Sequence, residues 1–398
     1  MIHHLKLSLL SSILILTVGC SEKTSPTPQF VVKNNLDINR SNETVEIDLK
    51  QLIQDSIPVV ETSKTFVVID ATTKEEVISQ ISDSDGDGID DVLLFQPTIE
   101  ANSEKIFEVV LKEKVLDTDA DPHCYSRFVP ERTDDYAWEN NRVAFRVFGP
   151  TAQKMIEDNV PGGTLSSGVD AWLKKVDYPI INKWYKEDQE EMGAYHIDTG
   201  EGLDNFHVGA SRGVGGIAVK VDTSYYFSKN FTNWKTISTG PIRTSFVLDY
   251  ADWDADGNTI SETKHISLDY GSNLTRFEIV LKGADTIAVG LTLHEKDGTT
   301  SVNMEQGWAS YWEPHEGSEL GQGIVAKEGT IAGFEKYETS TKDLSNLYTH
   351  LNTNNGKIVY YSGFSWKESE QFTTKSEWNA YLSNFAKKLN NPLKINRL

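Results

Sequence analysis

Residues 242–281 read IRTSFVLDYADWDADGNTISETKHISLDYGSNLTRFEIVL, and this stretch decides the fold class that we expect. Runs rich in Val, Ile, Leu and Phe occupy 242–250, 264–270 and 274–281, with Asp, Gly, Asn and Ser between them. Short runs of this kind, bounded by turn residues, predict antiparallel strands. Asp256-Gly257 predicts a hairpin turn, because both residue types tolerate the positive φ that tight turns need.

The same pattern continues in both directions along the chain. Similar runs lie at 30–36, 43–49, 65–71, 105–111, 215–221, 224–228, 286–293, 329–335 and 357–366. Asp297-Gly298 predicts a second hairpin turn. So many short strands favour a mainly β protein, a large antiparallel β-sandwich, over a parallel α/β fold. We expect one domain over 31–398, with an N-terminal β part at 31–115 and a site-bearing part at 116–398.

Two segments have helical patterns instead. Residues 151–192 predict short inserted helices, interrupted by Pro179, that cover a site. Near the C-terminus, Thr374 and Glu377 have the spacing of a capping box. The chain is expected to end in this helix, whose apolar residues keep helical spacing: Trp378, Leu382, Phe385 and Leu389.

The overall charge narrows the range of partners. The 398 residues include 59 acidic and 38 basic side chains, for a formal net charge of −21. Nucleic acids and anionic membrane surfaces are therefore disfavoured as partners. The sequence has no phosphate-binding glycine loop, no G-x-S-x-G motif and no zinc-type Cys/His spacing, so no organic cofactor is expected.

The N-terminus has the features of an exported lipoprotein. Residues 1–20 combine a short basic region, an apolar run and a Gly19-Cys20 cleavage pattern, so Cys20 is predicted to carry a lipid. The apolar run is too short for a transmembrane helix, and membrane contact is expected through the anchor only. Residues 21–30 predict an extended tether. Cys124 then has no partner for a disulfide, and the protein is expected in the periplasm or at the cell surface.

Residues 195–216 read YHIDTGEGLDNFHVGASRGVGG and concentrate side chains that transfer protons, bind metals or bind anions. The glycines allow sharp turns and a close approach of the backbone to a ligand. We interpret this stretch as the floor of an active site, and the alternative is a surface loop with several tight turns. Its candidate residues are Tyr195, His196, Asp198, Glu201, Asp204, His207 and Arg212.

A second informative stretch, 121–150, contains four of the nine Arg in the chain: Arg127, Arg132, Arg142 and Arg146. Residues 142–148 alternate as in a strand, with Val143, Phe145 and Val147 on the side of a core. The opposite side carries two guanidinium groups, which bind carboxylate or sulfate through parallel hydrogen bonds. We predict that this side faces a ligand, and the alternative is a solvated strand face.

A third motif predicts a structural cation site. Residues 83–91 read DSDGDGIDD, with acidic side chains at alternate positions and a further one after a glycine turn. Such spacing places carboxylates around one hard cation, and oxygen ligands favour Ca²⁺. The alternative is a plain acidic turn. The predicted ligands are Asp83, Asp85, Asp87 and Asp91.

Three segments of the chain together resemble one protein family, and they are residues 123–150, 195–216 and 269–283. The family consists of bacterial lipoproteins and periplasmic proteins encoded in polysaccharide-utilisation loci. It has long been catalogued as a domain of unknown function. The resemblance covers nearly the whole mature chain. It implies a β-sandwich similar to the galactose mutarotase-like supersandwich of polysaccharide lyases and glycoside hydrolases. It also implies an oligosaccharide dehydratase of ulvan fragments, which removes water from a uronic acid at the non-reducing end and leaves a 4,5-unsaturated residue.

This dehydration needs particular chemical groups, and we expect the candidate residues to supply them. The C5 proton is hardly acidic beside a charged carboxylate, so a positive group must neutralise this carboxylate. Arg142, Arg146 and Arg212 are the candidates, and a metal held by the carboxylates of 198, 201 and 204 is the rival. Arg127 or Arg132 is a candidate contact for a sulfated rhamnose next to the uronate. Trp138 and Trp234 are candidate stacking platforms.

The elimination also needs a base for the C5 proton and an acid for the leaving hydroxyl. His196 is the first candidate for one of these roles, and Asp198 shares its face in an extended segment, where it would orient the imidazole. The partner is expected to be His123 or Tyr195, and His207 is a further candidate catalytic group. Two other classes stay open: a polysaccharide lyase or glycoside hydrolase on an anionic glycan, and a non-catalytic glycan-binding lipoprotein.

Overall fold

The computed structural model describes residues 27–53, 64–113 and 122–398. The predicted signal peptide, Cys20 and residues 21–26 of the predicted tether lie outside these ranges. In the described part, no helix has the length and apolar character needed to cross a membrane.

Strands make up most of the regular structure, as the alternating runs predicted. Four α-helices occur in the described ranges: α1 (Leu49–Ile53), α2 (Pro150–Glu157), α3 (Ile181–Glu190) and α4 (Lys375–Asn390). The strands are, in chain order, β1 (Gln29–Lys33), β2 (Val45–Asp48), β3 (Lys64–Asp70), β4 (Glu76–Val77), β5 (Ser79–Ser82), β6 (Val92–Phe95), β7 (Glu104–Glu113), β8 (Tyr125–Val129), β9 (Asp135–Glu139), β10 (Ala144–Val147), β11 (Asp170–Lys174), β12 (Gly202–Leu203), β13 (Val214–Val221), β14 (Ser224–Tyr226), β15 (Phe231–Ser238), β16 (Arg243–Tyr250), β17 (Trp253–Ala255), β18 (Asn258–Asp269), β19 (Leu274–Lys282), β20 (Thr286–Thr292), β21 (Thr299–Asn303), β22 (Trp308–His315), β23 (Ser318–Ala326), β24 (Ile331–Tyr337), β25 (Asn346–Asn352), β26 (Lys357–Trp366) and β27 (Lys394–Arg397).

Three antiparallel sheets share the main hydrophobic core. The largest has the order β15-β16-β18-β19-β26-β23-β22-β21, with β17 paired to β18, and the others are β14-β13-β20-β25-β24 and β12-β11-β10-β9-β8. Buried side chains from all three meet in this core, including Phe277, Val289 and Phe145. The fold is therefore mainly β and layered, as the sequence predicted.

The N-terminal part has a core of its own. The sheets β27-β1-β7-β3-β4 and β2-β6-β5 enclose buried residues such as Phe30, Val68 and Phe107. The last strand of the chain, β27, pairs with β1 in the first of these sheets. The expectation that the chain ends in a helix is therefore wrong, because β27 follows α4 and completes this sheet. The predicted tether also ends earlier than residue 30, since Gln29 and Phe30 already pair with β7.

The local predictions have mixed outcomes. The capping box at α4 is confirmed, with Thr374 accepting from the Glu377 main-chain N–H, and the apolar side of α4 is buried through Trp378 and Leu382. Asp256-Gly257 does join β17 to β18 as a hairpin. Asp297-Gly298 does not form one, because β20 and β21 belong to different sheets.

The segment 151–192 contains α2 and α3 but is not wholly helical. Residues Asp170–Lys174, expected as helix, form strand β11. This strand pairs with β10, and all five of its residues are buried. Sheet pairing on the edge of β10 therefore outweighs the local helical pattern.

Candidate active site

The sheet β12-β11-β10-β9-β8 has two buried faces of different character, and one of them carries charged groups. Phe145 and Val147 of β10 point into the main core, as predicted. The opposite face is covered by α3, whose Trp184 and Tyr185 pack with Trp172 and Tyr195 in a separate cluster. Arg146 lies on this covered face, so the predicted ligand-facing strand is instead buried under a helix.

The start of α3 is held over this face by a buried carboxylate. Glu139, at the end of β9, accepts the main-chain N–H groups of Ile180 and Ile181 at 2.9 Å. It also accepts from Nζ of Lys174 at 2.8 Å. A carboxylate at a helix N-terminus satisfies donors that have no partner within the helix. Glu139 thus positions the helix that covers the charged face.

Arg146 binds three carboxylates beneath the stretch 195–216. Its Nε lies 2.7 Å from Oδ2 of Asp170, and Nη2 lies 2.7 Å from Oδ2 of Asp204. Nη1 is 3.6 Å from Oδ2 of Asp135. Asp170 is the cross-strand partner of Arg146 in β11, which explains how the pair forms. Arg146 therefore stabilises the residues beneath the site. Its N–H groups bind carboxylates of the protein.

The charged side chains around Arg146 shift one another's pKa values. Burial alone would lower the pKa of Arg146, but the carboxylates of Asp204, Asp170 and Asp135 outweigh it and raise this pKa. Burial raises the pKa of Asp135 to about 6, against the opposing effect of Arg146. Burial and the nearby Asp204 also raise the pKa of Asp170. One guanidinium cannot fully compensate three buried carboxylates, so part of this cluster tends to hold a proton.

Tyr195 is buried above Arg146, whose guanidinium carbon lies 5.5 Å from the centroid of the Tyr195 ring. It belongs to a 3-10 turn, Ala194–His196, which follows Gly193 in a left-handed conformation with φ 85. Its hydroxyl oxygen accepts from Nε of Arg132 at 3.2 Å and from Nη1 of Arg146 at 3.5 Å. Two cationic donors on one phenol oxygen stabilise negative charge there.

Arg132 reaches Tyr195 from a second 3-10 turn, Pro130–Arg132. The next two residues, Thr133 and Asp134, have positive φ values of 51 and 67. Such conformations of non-glycine residues cost about 1–3 kcal/mol each and occur often at functional sites. Burial would lower the pKa of Arg132, but Tyr195 and Asp135 raise it. The Arg132 side chain is half-buried, and its Nη1 donates to the Thr133 hydroxyl at 3.0 Å.

His196 completes the group at the surface. Nδ1 hydrogen-bonds to the main-chain carbonyl oxygen of Asp204, and the imidazole packs edge-on against Tyr195 with 4.5 Å between ring centroids. A carbonyl oxygen only accepts, so Nδ1 carries the proton and Nε2 has the free lone pair of the neutral ring. The side chain is 53% exposed, so the imidazole can be reached from solvent. The orienting partner is thus Asp204, not Asp198 as predicted.

The three predicted metal-binding carboxylates do not converge. Asp198 binds Nζ of Lys175 at 2.6 Å. Glu201 lies 2.8 Å from Nζ of Lys183 and also accepts from Trp184. With Asp204 directed at Arg146, each carboxylate has a different cationic partner. Between them, Gly202 approaches β11 so closely that a Cβ would lie 2.0 Å from the carbonyl oxygen of Leu173.

The other predicted Arg side chains lie away from Tyr195. Arg142 donates to Asn273 and packs over the ring of Phe372. Arg127 donates to Asn182 at 2.6 Å and to Glu131 at 2.5 Å. Arg142 and Arg146 therefore have separate partners within the protein, and the prediction that they lie on one ligand-facing side of a strand is wrong.

Arg212 is a core residue rather than a surface grip. Its guanidinium carbon lies 3.7 Å from the ring centroid of Phe227, and Nη1 donates to Ser167 at 2.9 Å. The side chain is fully buried, and burial lowers the pKa of Arg212 to about 10. A ligand would have to enter the core to reach it.

The remaining predicted residues occupy other positions. His123 contacts Asp177 and the ring of Tyr270, and His207 lies 3.1 Å from Oδ2 of Asp343. Trp138 is fully buried and donates to Thr275, so its expected role as a stacking platform is wrong. Trp234 is 42% exposed, with one ring face stacked on Phe128.

The acidic loop 83–91 folds as a compact turn. Carboxylate oxygens of Asp83, Asp85 and Asp87 lie within 4.8 Å of one another. Asp83 accepts the main-chain N–H groups of Gly86 and Gly88 at 2.6 and 2.8 Å. Asp91 instead accepts hydrogen bonds from the main-chain N–H and the hydroxyl of Ser84. Three of the four predicted ligands are therefore close together in this loop.

Two sets of residues were missed by the sequence reasoning. Asp135 and Asp170 could have been noticed as acidic residues at the starts of apolar strands next to Arg146. The second set is His294, Glu313 and His315, whose ligand atoms lie within 4.8 Å of one another. Glu313 and His315 alternate on β22, which is a sequence signal, but nothing local connects them to His294.

Comparisons with known proteins place the chain in a family. A protein of Formosa agariphila named Uncharacterized protein P7 is 57% identical over 378 residues, which is 95% of each chain. Two solved structures from Enterococcus faecalis, an α-mannosidase and a glycosyl hydrolase family 38 protein, are each 12% identical, with TM-scores of 0.44 and 0.43. The match covers 94% of this chain, which spans only about half of those chains, 46% and 47%. The model of a domain of unknown function, DUF4861, matches residues 32–395, and the chain therefore belongs to the DUF4861 family.

Proposed function

We propose that the protein is a carbohydrate dehydratase, which removes water from the uronic acid at the non-reducing end of an ulvan-type oligosaccharide and leaves a 4,5-unsaturated uronate. The observation that carries this proposal is the contact of the Tyr195 hydroxyl with Arg132 and Arg146, together with the imidazole of His196 packed edge-on against the Tyr195 ring. The substrate class and its origin in a polysaccharide-utilisation locus rest on the resemblance of the three sequence segments.

Arg132 is the group that neutralises the substrate carboxylate in this proposal. It is half-buried, whereas Arg146 is buried and directed at protein carboxylates. A guanidinium binds a carboxylate through two parallel hydrogen bonds. With its carboxylate neutralised, the uronate can delocalise the charge that develops when C5 loses its proton.

His196 is the proposed base. The hydrogen bond from Nδ1 to the carbonyl oxygen of Asp204 selects the tautomer in which Nε2 is unprotonated. Nε2 takes the proton from C5, and the electron pair of the C5–H bond forms the double bond between C4 and C5. The imidazolium that results is stabilised by the carboxylate of Asp204, whose Oδ2 is 3.8 Å from Nδ1.

Tyr195 is the proposed acid. As the bond between C4 and oxygen breaks, the phenol gives its proton to the leaving hydroxyl, which departs as water. The phenolate that remains faces Nε of Arg132 and Nη1 of Arg146. Transfer of the proton from His196 back to Tyr195 restores the resting state, so the net change is loss of one water.

The three carboxylates around Arg146 are not placed as the acid and base of a glycosidase. A glycosidase of the usual kind needs two accessible carboxyl groups on either side of the scissile bond. Asp135, Asp170 and Asp204 are all buried, and the last two bind Arg146 at 2.7 Å. They are therefore supports of Arg146 rather than an acid and base pair.

Mass spectrometry tests the proposal. The protein is incubated with oligosaccharides that end in a saturated uronate, and the products are examined for loss of one water at unchanged chain length, with rising ultraviolet absorbance. Shortened chains would instead identify a lyase or hydrolase. Binding without any mass change would identify a glycan-binding protein.

Two further features are proposed on sequence grounds. We propose a structural Ca²⁺ at the loop 83–91, supported by the proximity of the Asp83, Asp85 and Asp87 carboxylates. We also propose that a lipid on Cys20 anchors the protein in the periplasm or at the cell surface. Cys124 is buried and has a free thiol, which is compatible with Cys20 being lipidated.

A further inference from the structure

We propose that His294, Glu313 and His315 bind one divalent transition cation of the Zn²⁺ class, and that this ion holds the segment 205–207 in place behind the candidate active site. One ligand atom from each of the three side chains lies within 4.8 Å of the others. The proposed ligands are a different set of side chains, so the assignment of this site does not rest on the dehydratase reaction.

The fold brings the three residues together from separate strands. Glu313 and His315 are two positions apart on β22, so their side chains are on the same face of the strand. His294 follows the end of β20, which belongs to another sheet. The site therefore joins two sheets of the main core.

Both imidazoles are oriented as in metal sites. Nε2 of His294 lies 3.1 Å from the carbonyl oxygen of His207, and Nε2 of His315 lies 3.2 Å from the amide oxygen of Asn205. Because these oxygens are acceptors, each Nε2 carries the proton, which leaves Nδ1 as the metal-binding nitrogen. Nδ1 of His294 lies 2.6 Å from Oε1 of Glu313, so without the ion it carries a proton that the cation would displace. Metal-binding histidines usually donate their second ring N–H in this way.

Glu313 supplies the negative charge and an unsatisfied oxygen. It is fully buried, and its Oε1 lies 2.6 Å from Nδ1 of His294 and accepts from Gln322 at 3.0 Å. Its Oε2 is buried and has no hydrogen-bond partner in the described part of the chain. A buried carboxylate oxygen without a partner is costly. A cation between the carboxylate and the two imidazoles would satisfy it.

An ion pair between His294 and Glu313 alone explains fewer of these contacts than a bound cation does. A protonated His294 would pair with Glu313, but it would leave Oε2 of Glu313 without a partner. The rings of His315 and His294 lie 5.3 Å apart between centroids, so a cation bound to Glu313 would be within reach of both imidazoles. Two imidazole nitrogens and one carboxylate form a ligand set that suits Zn²⁺.

The ion would stabilise a segment that continues into the candidate active site. The second ring nitrogens of the two histidines bind Asn205 and His207, and Phe206 packs edge-on against His294 with 4.6 Å between ring centroids. Asn205 follows Asp204, which orients His196 and binds Arg146. Metal binding is thereby linked to the position of the proposed base.

The test measures metal binding by the purified full-length protein. After exhaustive chelation and dialysis, Zn²⁺ is added back, and its affinity is measured by competition with a chromogenic chelator. We expect about one equivalent per chain, and the Glu313→Gln and His315→Gln variants should each lose at least about tenfold in affinity. His265→Gln, which changes a histidine of β18, is the matched control and should bind as the wild type does.

X-ray absorption at the zinc edge provides a second measurement that needs no variant. Nitrogen and oxygen ligands at about 2.0–2.2 Å, with two imidazoles, are expected. Circular dichroism establishes that the variants are folded, and spectra without imidazole signals would overturn the proposal. Absence of Zn²⁺ binding by the wild type, or unchanged affinity in both variants, would identify the group as an imidazole–carboxylate ion pair instead.

Discussion

Arg146 and Asp170 face each other across β10 and β11, with Nε of Arg146 2.7 Å from Oδ2 of Asp170, and both side chains are buried. Arg146 keeps Asp204 and Asp135 as partners when Asp170 is removed, but it loses a hydrogen bond, and a hydrogen bond to a charged group contributes about 1.5–3 kcal/mol. We therefore expect Asp170→Ala to lower the free energy of unfolding by that amount in urea denaturation. Glu190→Gln, which removes the exposed pair of Lys186 and Glu190, should cost less than about 1 kcal/mol. Equal effects of the two variants would contradict the structural role of Arg146.

His196 is predicted to be essential for turnover but not for folding. Its side chain is about half exposed, so His196→Gln should leave the melting temperature nearly unchanged. Because a positioned base contributes roughly 10²–10⁴-fold, kcat for water loss should fall by about that factor. His265→Gln is the control and should keep wild-type activity. Near-normal turnover by His196→Gln would discard its proposed role.

Tyr195 and Arg132 are predicted to affect different kinetic constants. Tyr195→Phe removes the proton donor and should lower kcat by about 10²-fold or more. Arg132→Lys keeps the charge but loses the planar pair of donors, so it should chiefly raise KM for the uronate. Steady-state kinetics on the same oligosaccharide separates the two effects. A raised KM with unchanged kcat in Tyr195→Phe would remove the hydroxyl from the proposed chemistry.

Asp135 is predicted to make the free energy of unfolding depend on pH in one direction. Burial raises the pKa of Asp135 to about 6, whereas an unfolded Asp titrates near about 3.9. Its contribution to stability is therefore fully present below about pH 4 and is lost as pH rises through about 6. The stability of the wild type relative to Asp135→Asn should fall by up to about 3 kcal/mol over this range.

Urea denaturation at a series of pH values measures this difference. The control is Asp269→Asn, since Arg243 outweighs burial and lowers the pKa of Asp269. For that residue the sign is opposite, so the wild type should lose its relative stability as pH falls below about 4. Parallel pH profiles for wild type and Asp135→Asn would show that the buried cluster does not titrate in this range.

The loop 83–91 is predicted to stabilise the protein through Ca²⁺. A ligand at 100 times its Kd stabilises by about 2.7 kcal/mol, so EGTA should lower the melting temperature by several degrees and added Ca²⁺ should restore it. Asp83→Asn should abolish this response. Asp254→Asn, in the hairpin of β17 and β18, removes an acidic turn residue of the similar motif DWDADG and should leave the response intact. An unchanged melting temperature with EGTA would leave the loop as a plain acidic turn.

The candidate site could be predicted from the sequence in position but not in detail. The stretch 195–216 was identified by its residue types, and Tyr195 and His196 do lie together with Arg146. The sequence predicts Asp198 as the orienting group of His196, because the two side chains share a face in an extended segment. The chain instead makes a 3-10 turn at Ala194–His196, which directs the imidazole to the carbonyl oxygen of Asp204.

The alternation of Val143, Phe145 and Val147 by itself determined which face of β10 joins the core, because successive side chains of a strand point to opposite sides. The spacing of Thr374 and Glu377 likewise determined where α4 begins, since a capping box is a local hydrogen-bond pattern. Only the tertiary structure decided that Arg146 is buried under α3, because its partners Asp170 and Asp204 are 24 and 58 residues away. Strand pairing and burial between distant segments, which no local pattern encodes, made Arg146 a support of the site and left Arg132 as its half-buried cation.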